Sequence, residues 1–152
     1  MEKLLTHSAT SGKRLRTPIA IEVPAGLDPA SLDTYQFIQD SLSSRIPTLI
    51  PFALSSPAIL KMAKYLRRYT SSSHKSLSHY IYTVYRFSNW AGKTPEQLVS
   101  ECKDHEGVPD PKAIMKAGLM LDEYVGDLKA RSLAPSSIAA YVTPVQTFYR
   151  VN

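Results

Sequence analysis

The sequence predicts an all-α protein: a compact bundle of four to five helices behind an irregular N-terminal extension. Three observations carry that prediction. Apolar residues recur at helical spacing from Ser31 onward. Serine, threonine or aspartate followed by proline marks successive helix starts at Ser56-Pro57, Thr94-Pro95 and Asp110-Pro111. No stretch alternates apolar and polar residues strongly enough for a sheet. With 152 residues, of which 43% are hydrophobic, the chain can bury a core of its own.

Residues 1–55 read as the extension. Met1 to about Asp28 is tail-like, with a short strand possible at Ile19–Val23 but no obvious partner. Lys13, Arg14 and Arg16 suit a basic arm that docks on phosphates, and equally a plain leader. Leu32, Tyr35, Ile38, Leu42 and Ile46 predict a helix over 31–46. Pro47 and Pro51 then mark a linker, 47–55, and the main domain is expected over 56–152.

Within it, Ser56 and Pro57 start a helix to about Tyr69, with Ile59, Ala63, Leu66 and Tyr69 on its core face and Lys61, Lys64, Arg67 and Arg68 over the rest. The serine run 71–73 breaks it. A second helix follows from about His74 to Ala91 and is stopped by Gly92. Gln97 stands at capping-box spacing from Thr94, opening a short third helix. After the 107–111 loop, Asp110 and Pro111 open a fourth, with an apolar stripe of Ile114, Gly118, Leu121, Val125 and Leu128. A turn at 131–135 leads to a fifth, opening at Ser136 or Ser137 and running to the end. Pro144 lies inside that last helix and predicts a kink or a late start, because an internal proline costs about 3 kcal/mol.

Two segments match at an offset of 61 residues: Ser76-Leu77, Tyr80-Ile81, Val84 and Phe87 against Ser137-Ile138, Tyr141-Val142, Val145 and Phe148. Each closes a helix pair, so the bundle is expected to be pseudo-symmetric. On the second helix Leu77, Tyr80, Ile81, Val84, Phe87 and Ala91 gather on a core side. Lys75, His79, Tyr82 and Arg86 form a stripe opposite it. The equivalent face of the last helix is Ser136, Ala140, Thr143, Thr147 and Arg150.

The net charge is +5 and the pI about 9.3. Its distribution says more. From Pro57 to Lys93 stand Lys61, Lys64, Arg67, Arg68, Lys75, Arg86 and Lys93 with no acid, whereas Thr94 to Ala130 is acidic. A positive block of this kind points to a polyanion-facing surface, the alternative being a solvated basic face that binds nothing. Arginine and lysine grip phosphates, and a slim helix bearing Lys, His, Tyr and Arg can reach base edges in a major groove. Serine hydroxyls and helix-start N–H groups at Ser76, Ser136 and Ser137 offer further phosphate contacts.

Chemistry is disfavoured. The single cysteine, Cys102, has no His-Asn arrangement beside it; it cannot staple the fold and suits a reducing, cytoplasmic setting. The four histidines, His7, His74, His79 and His105, lack metal-ligand spacing, and no glycine-rich phosphate loop exists. The carboxylates Asp122-Glu123 and Asp104/Glu106 sit in charge-rich segments. No metal, cofactor or small-molecule substrate is expected, and no apolar run reaches membrane-spanning length.

From about Ser56 to Asn152 the chain resembles the N-terminal core-binding, SAM-like domain of tyrosine recombinases, the phage-type integrases. The likeness rests on the basic helix followed by Ser73–Ser76 and by Tyr80, Phe87 and Trp90-Ala91-Gly92. It rests also on Leu128-Lys129-Ala130-Arg131-Ser132-Leu133-Ala134-Pro135-Ser136-Ser137-Ile138, and on the ending Phe148-Tyr149-Arg150-Val151-Asn152. These are soft motifs over about two thirds of the chain. The resemblance implies half of a clamp around duplex DNA beside a recombination site, with other recombinase protomers as further partners. It implies that catalysis belongs to a C-terminal domain bearing an arginine, a His-x-x-Arg motif and a tyrosine nucleophile. No histidine here has Arg three residues on. A tyrosine without such a clamp has nothing to stabilise the charge of a phosphorane. The chain is therefore expected to bind DNA at Lys61, Lys64, Arg67, Arg68, Lys75, Ser76, His79, Tyr82, Arg86, Arg131, Ser136 and Ser137, without catalytic residues of its own. The competing expectation is a basic helical protein–protein interaction domain.

Overall fold

The computed structural model describes residues 2–5, 20–23, 26–70 and 73–152, and Lys13, Arg14 and Arg16 lie outside them. Seven α-helices follow one another: α1 (Pro29–Ser43), α2 (Ile50–Leu54), α3 (Pro57–Tyr69), α4 (His74–Ala91), α5 (Pro95–Ser100), α6 (Pro111–Ala130) and α7 (Pro135–Val151). The architecture is all-α and compact, with two additions to the expected helices. One is a 3-10 turn, Pro47–Leu49, leading into α2. The other is a two-stranded antiparallel sheet, β1 (Glu2–Leu5) with β2 (Ala20–Val23), in which Glu2 faces Val23 and Leu5 faces Ala20. The possible strand near Ile19–Val23 thus has a partner, and the expectation of no sheet is corrected. Four residues per strand are too few for alternation to stand out, and the partner is distant in sequence.

Helix starts follow the local chemistry. Asp28 caps α1 by accepting from the Ser31 N–H at 3.0 Å, and the bonds from Ser31 hold its carboxyl below the usual range. Ser73 accepts from Ser76 N–H at the head of α4. Thr94 and Gln97 form the reciprocal capping box of α5. Ser56, almost fully buried, accepts from Ile59 N–H and donates its hydroxyl to the Glu96 carboxylate, which also accepts from Ala58 N–H at 3.4 Å. A carboxylate from α5 therefore sits on the positive end of α3, where the helix dipole favours it. Gly92 ends α4 in the left-handed region, at φ 66°, a conformation that favours glycine.

The core crosses the boundary expected at residue 55. Phe37, Ile38 and Leu42 of α1, Leu49, and Ile50 and Ala53 of α2 are buried in one cluster with Ile59, Met62 and Leu66 of α3 and Leu77, Ile81, Val84 and Phe87 of α4. The segment 47–55 is folded into short helical turns that bury Leu49, Ile50 and Ala53, and it is not a linker. Its two prolines fall at helix starts, where a missing N–H costs nothing.

Two stripes depart from expectation. Tyr69 is 64% exposed and does not join the core face of α3. On α6 only Tyr124 and Leu128 are buried, while Ile114, Met115 and Leu119 are 48%, 70% and 60% exposed. The second half of α6 docks on an aromatic cluster. Tyr124 meets Phe87 edge-on at 5.1 Å and lies 5.0 Å from Trp90, whose indole N–H donates to Asp127 at 2.6 Å. The first half extends past that cluster and flanks an apolar pocket of about 510 Å³ beside Val99, Cys102 and Tyr149.

The last helix begins at Pro135, one residue before the expected serines, and continues through the buried Pro144. Proline at 144 removes the N–H that would bond the Ala140 carbonyl four residues back. The bundle supplies a replacement: His79 Nε2 lies 2.9 Å from Ala140 O. His79 and Ala140 occupy equivalent places in the 61-residue repeat, so the two matching helices meet there.

Candidate nucleic-acid interface

The twelve residues expected to touch DNA do not form one surface. On α3 the core face is Ala58, Ile59, Met62, Ala63 and Leu66, which leaves Lys61, Lys64 and Arg68 in solvent. These three line a groove of about 440 Å³ with Tyr65, Tyr69 and, from the end of α7, Arg150 and Val151. The groove walls carry four cations and no acid. Asn152 fixes the helix ends that form it, donating to Ala58 O at 3.2 Å and to Phe148 O at 2.9 Å.

Arg67 points elsewhere. Its guanidinium donates to both Asp33 oxygens, at 3.2 and 3.4 Å, and lies 4.7 Å from the centroid of the Phe37 ring. It ties α3 to α1, which makes it a weaker DNA candidate than its neighbours. No local pattern signals this pairing, because Asp33 is 34 residues away.

The α4 stripe is split. Lys75 is exposed at the first turn, as is Ser76, whose N–H is already engaged by Ser73. His79 is half-buried at the crossing with α7, held at Ala140. Arg86 is half-buried between two rings, 5.7 Å from the Tyr82 centroid and 5.0 Å from that of Tyr141 on α7. Arg131 ends α6 in the same neighbourhood. Burial raises the pKa of the Tyr124 phenol, and the charges of Arg86 and Arg131 both oppose that rise. Arg86, Arg131, Tyr82 and Tyr141 thus form a second, mixed cationic and aromatic surface where α4, α6 and α7 meet.

Ser136 is exposed and Ser137 half-buried in the first turn of α7, whose N-cap, Ala134, provides no side-chain acceptor. Of the polar face expected on α7, Ser136, Ala140, Thr143 and Arg150 are exposed, but Thr147 is buried. The cause is the close packing of the second half of α7 against α3 and α4.

The sequence pattern did not single out Tyr65, Tyr69 and Tyr141 beside these cations, and it put Arg150 on another face of the last helix. A signal existed for the first two: tyrosines four apart, interleaved with Lys61, Lys64 and Arg68, share a helix face.

Elsewhere the chemistry is quiet. Burial pushes the Cys102 thiol up, Glu101 adds to this, and the thiol lies 3.6 Å from Leu98 O, the reverse of what a nucleophilic thiolate needs. Among the described residues no three His, Cys, Asp or Glu side chains gather as a metal site. No described helix is long and apolar enough to cross a membrane. Comparison with protein-family models, with curated proteins and with solved structures finds no match for this chain.

Proposed function

We propose that this chain is a DNA-binding module that grips duplex DNA through phosphates and performs no strand chemistry itself. The observation that carries the reading is the acid-free groove of α3 and α7, where Lys61, Lys64, Arg68 and Arg150 converge. Phosphate neutralisation by such cations releases counterions and supplies most sequence-independent affinity. Arg86 and Arg131 give a second contact surface on the α4–α7 side, with Lys75 at its edge. The resemblance noted in the sequence supports reading it as the core-binding half of a tyrosine recombinase clamp next to a recombination site, with the cleaving tyrosine in another domain.

Equilibrium titration of a duplex at rising salt tests the reading. Affinity should fall with a log–log slope of about −3 to −6, as roughly four to six phosphate contacts require. A flat response would overturn it. Supercoiled plasmid should stay intact, with no covalent protein–DNA adduct in a denaturing gel. An adduct lost on a single Tyr→Phe change would show that a nucleophile is present.

A second reading is supported by one observation, the exposed Ile114, Met115 and Leu119 on α6. An apolar face of this kind suits contact with another protein. The partner that fits is a second copy, because the positive block of 57–93 and the acidic block of 94–130 complement each other. Sedimentation without DNA separates the readings: a dimer disrupted by Leu119→Asp supports this one.

A further inference from the structure

Lys61, Lys64, Tyr65, Arg68 and Tyr69 recur three and four residues apart along α3, flanking its buried face. The Tyr65 and Tyr69 rings are 5.1 Å apart, inclined at 43°. Arg150 lies 5.8 Å from the Tyr65 centroid and Arg68 5.4 Å from that of Tyr69. Tyr69 keeps 64% of its surface in water, although a large aromatic side chain gains by burial.

Duplex phosphates account for the cations of this groove but not for its rings. In a paired helix each base is stacked above and below and shows only its edges. A tyrosine face can stack on a base only where that base has left the stack. The groove is open, with a volume of about 440 Å³. Four cations flank the rings, placed for the phosphates on either side of such a nucleotide.

We propose that the α3–α7 groove binds an unpaired nucleotide, with Tyr69 as stacking platform, Tyr65 behind it, and Lys61, Lys64, Arg68 and Arg150 on the flanking phosphates. The preferred ligand is then DNA with a short single-stranded interruption rather than an unbroken duplex. The inference rests on the DNA-binding reading above and specifies the form of DNA.

The test compares two labelled DNAs of one sequence, a fully paired duplex and the same duplex with a three-nucleotide gap, by fluorescence anisotropy on the full chain. The gapped DNA should bind roughly 5- to 150-fold tighter, the range expected when one base stacks on an aromatic ring. Tyr69→Ala should abolish that preference, so that the variant binds the gapped and the paired DNA equally, whereas Tyr69→Phe should keep it. The exposure of Tyr69 makes both variants compatible with the fold, which a melting curve verifies. Equal affinity for the two DNAs, or a preference that survives Tyr69→Ala, overturns the proposal and leaves the duplex-binding reading standing. Binding to neither DNA at low salt overturns both.

Discussion

Helices α4 and α7 carry the same pattern of side chains and bury it to different depths. In α4 Leu77, Ile81, Val84 and Phe87 are all within 1% of complete burial. In α7 the equivalents Val145 and Phe148 are fully buried, but Ile138 and Val142 remain half-buried. The difference comes from neighbours. The start of α4 packs against α1, where His74 Nδ1 lies 2.8 Å from Ser41 Oγ and its ring meets Phe37 at 5.2 Å. Helix α7 packs against α4 and α3 and more lightly against α6. A periodic pattern specifies which side of a helix turns inward; the elements around it set how far each residue goes in.

Mutations can break or sharpen this comparison. Phe87→Ala and Phe148→Ala should have the largest effects and nearly equal ones, each about 3–5 kcal/mol by denaturant unfolding, because both rings are fully buried. A large inequality would mean that the bundle is not pseudo-symmetric in energy. One turn earlier the two helices should diverge. Ile81→Ala should cost about 2–5 kcal/mol, as for other fully buried aliphatics. Val142→Ala should cost less than about 1.5 kcal/mol, since only part of its surface leaves water. Equal losses would show that α7 packs more tightly than its exposure implies.

The crossing point gives a smaller effect and a sharper test. His79→Ala should cost about 0.5–1.5 kcal/mol, the worth of one net hydrogen bond. In a Pro144→Ala background the same change should cost close to nothing, because residue 144 then donates to Ala140 within the helix. A double-mutant cycle with no coupling would remove His79 from this role.

The smallest effect is expected at Tyr149, where the α7 pattern ends. Its hydroxyl is buried without a hydrogen-bond partner among the described residues. Tyr149→Phe should therefore be neutral, or stabilising by up to about 1 kcal/mol, at pH 7. Burial raises the phenol's pKa above its unfolded value, with Cys102 and Glu101 adding to the rise. The sign follows: the associated stability is fully present below the unfolded value of about 10 and is lost as pH climbs toward the folded one. Tyr149→Phe should flatten that alkaline loss in melts taken between about pH 9 and 11.

Part of the candidate groove was legible in the chain itself. The acid-free run 57–93 holds Lys61, Lys64 and Arg68, and all three line the groove. Arg150 joins them only because α7 returns beside α3, a neighbourhood 82 to 89 residues away in sequence. Arg67 belongs to the same run and is drawn to Asp33 by the packing of α1.

The sequence by itself determined where helices begin and end: Ser56, Ser73, Thr94 and Asp110 cap, proline stands in several first turns, and Gly92 stops α4. It also determined the buried side of α4. Caps, turns and periodicity act within about four residues, so adjacent letters contain them. Only the tertiary structure decided that residues 29–55 share the core, that Tyr69 and the first half of α6 stay in water, and that His79 serves the carbonyl freed by Pro144. Burial is a sum over neighbours brought from anywhere in the chain, and an orphaned carbonyl can be satisfied by any donor that packing carries to it.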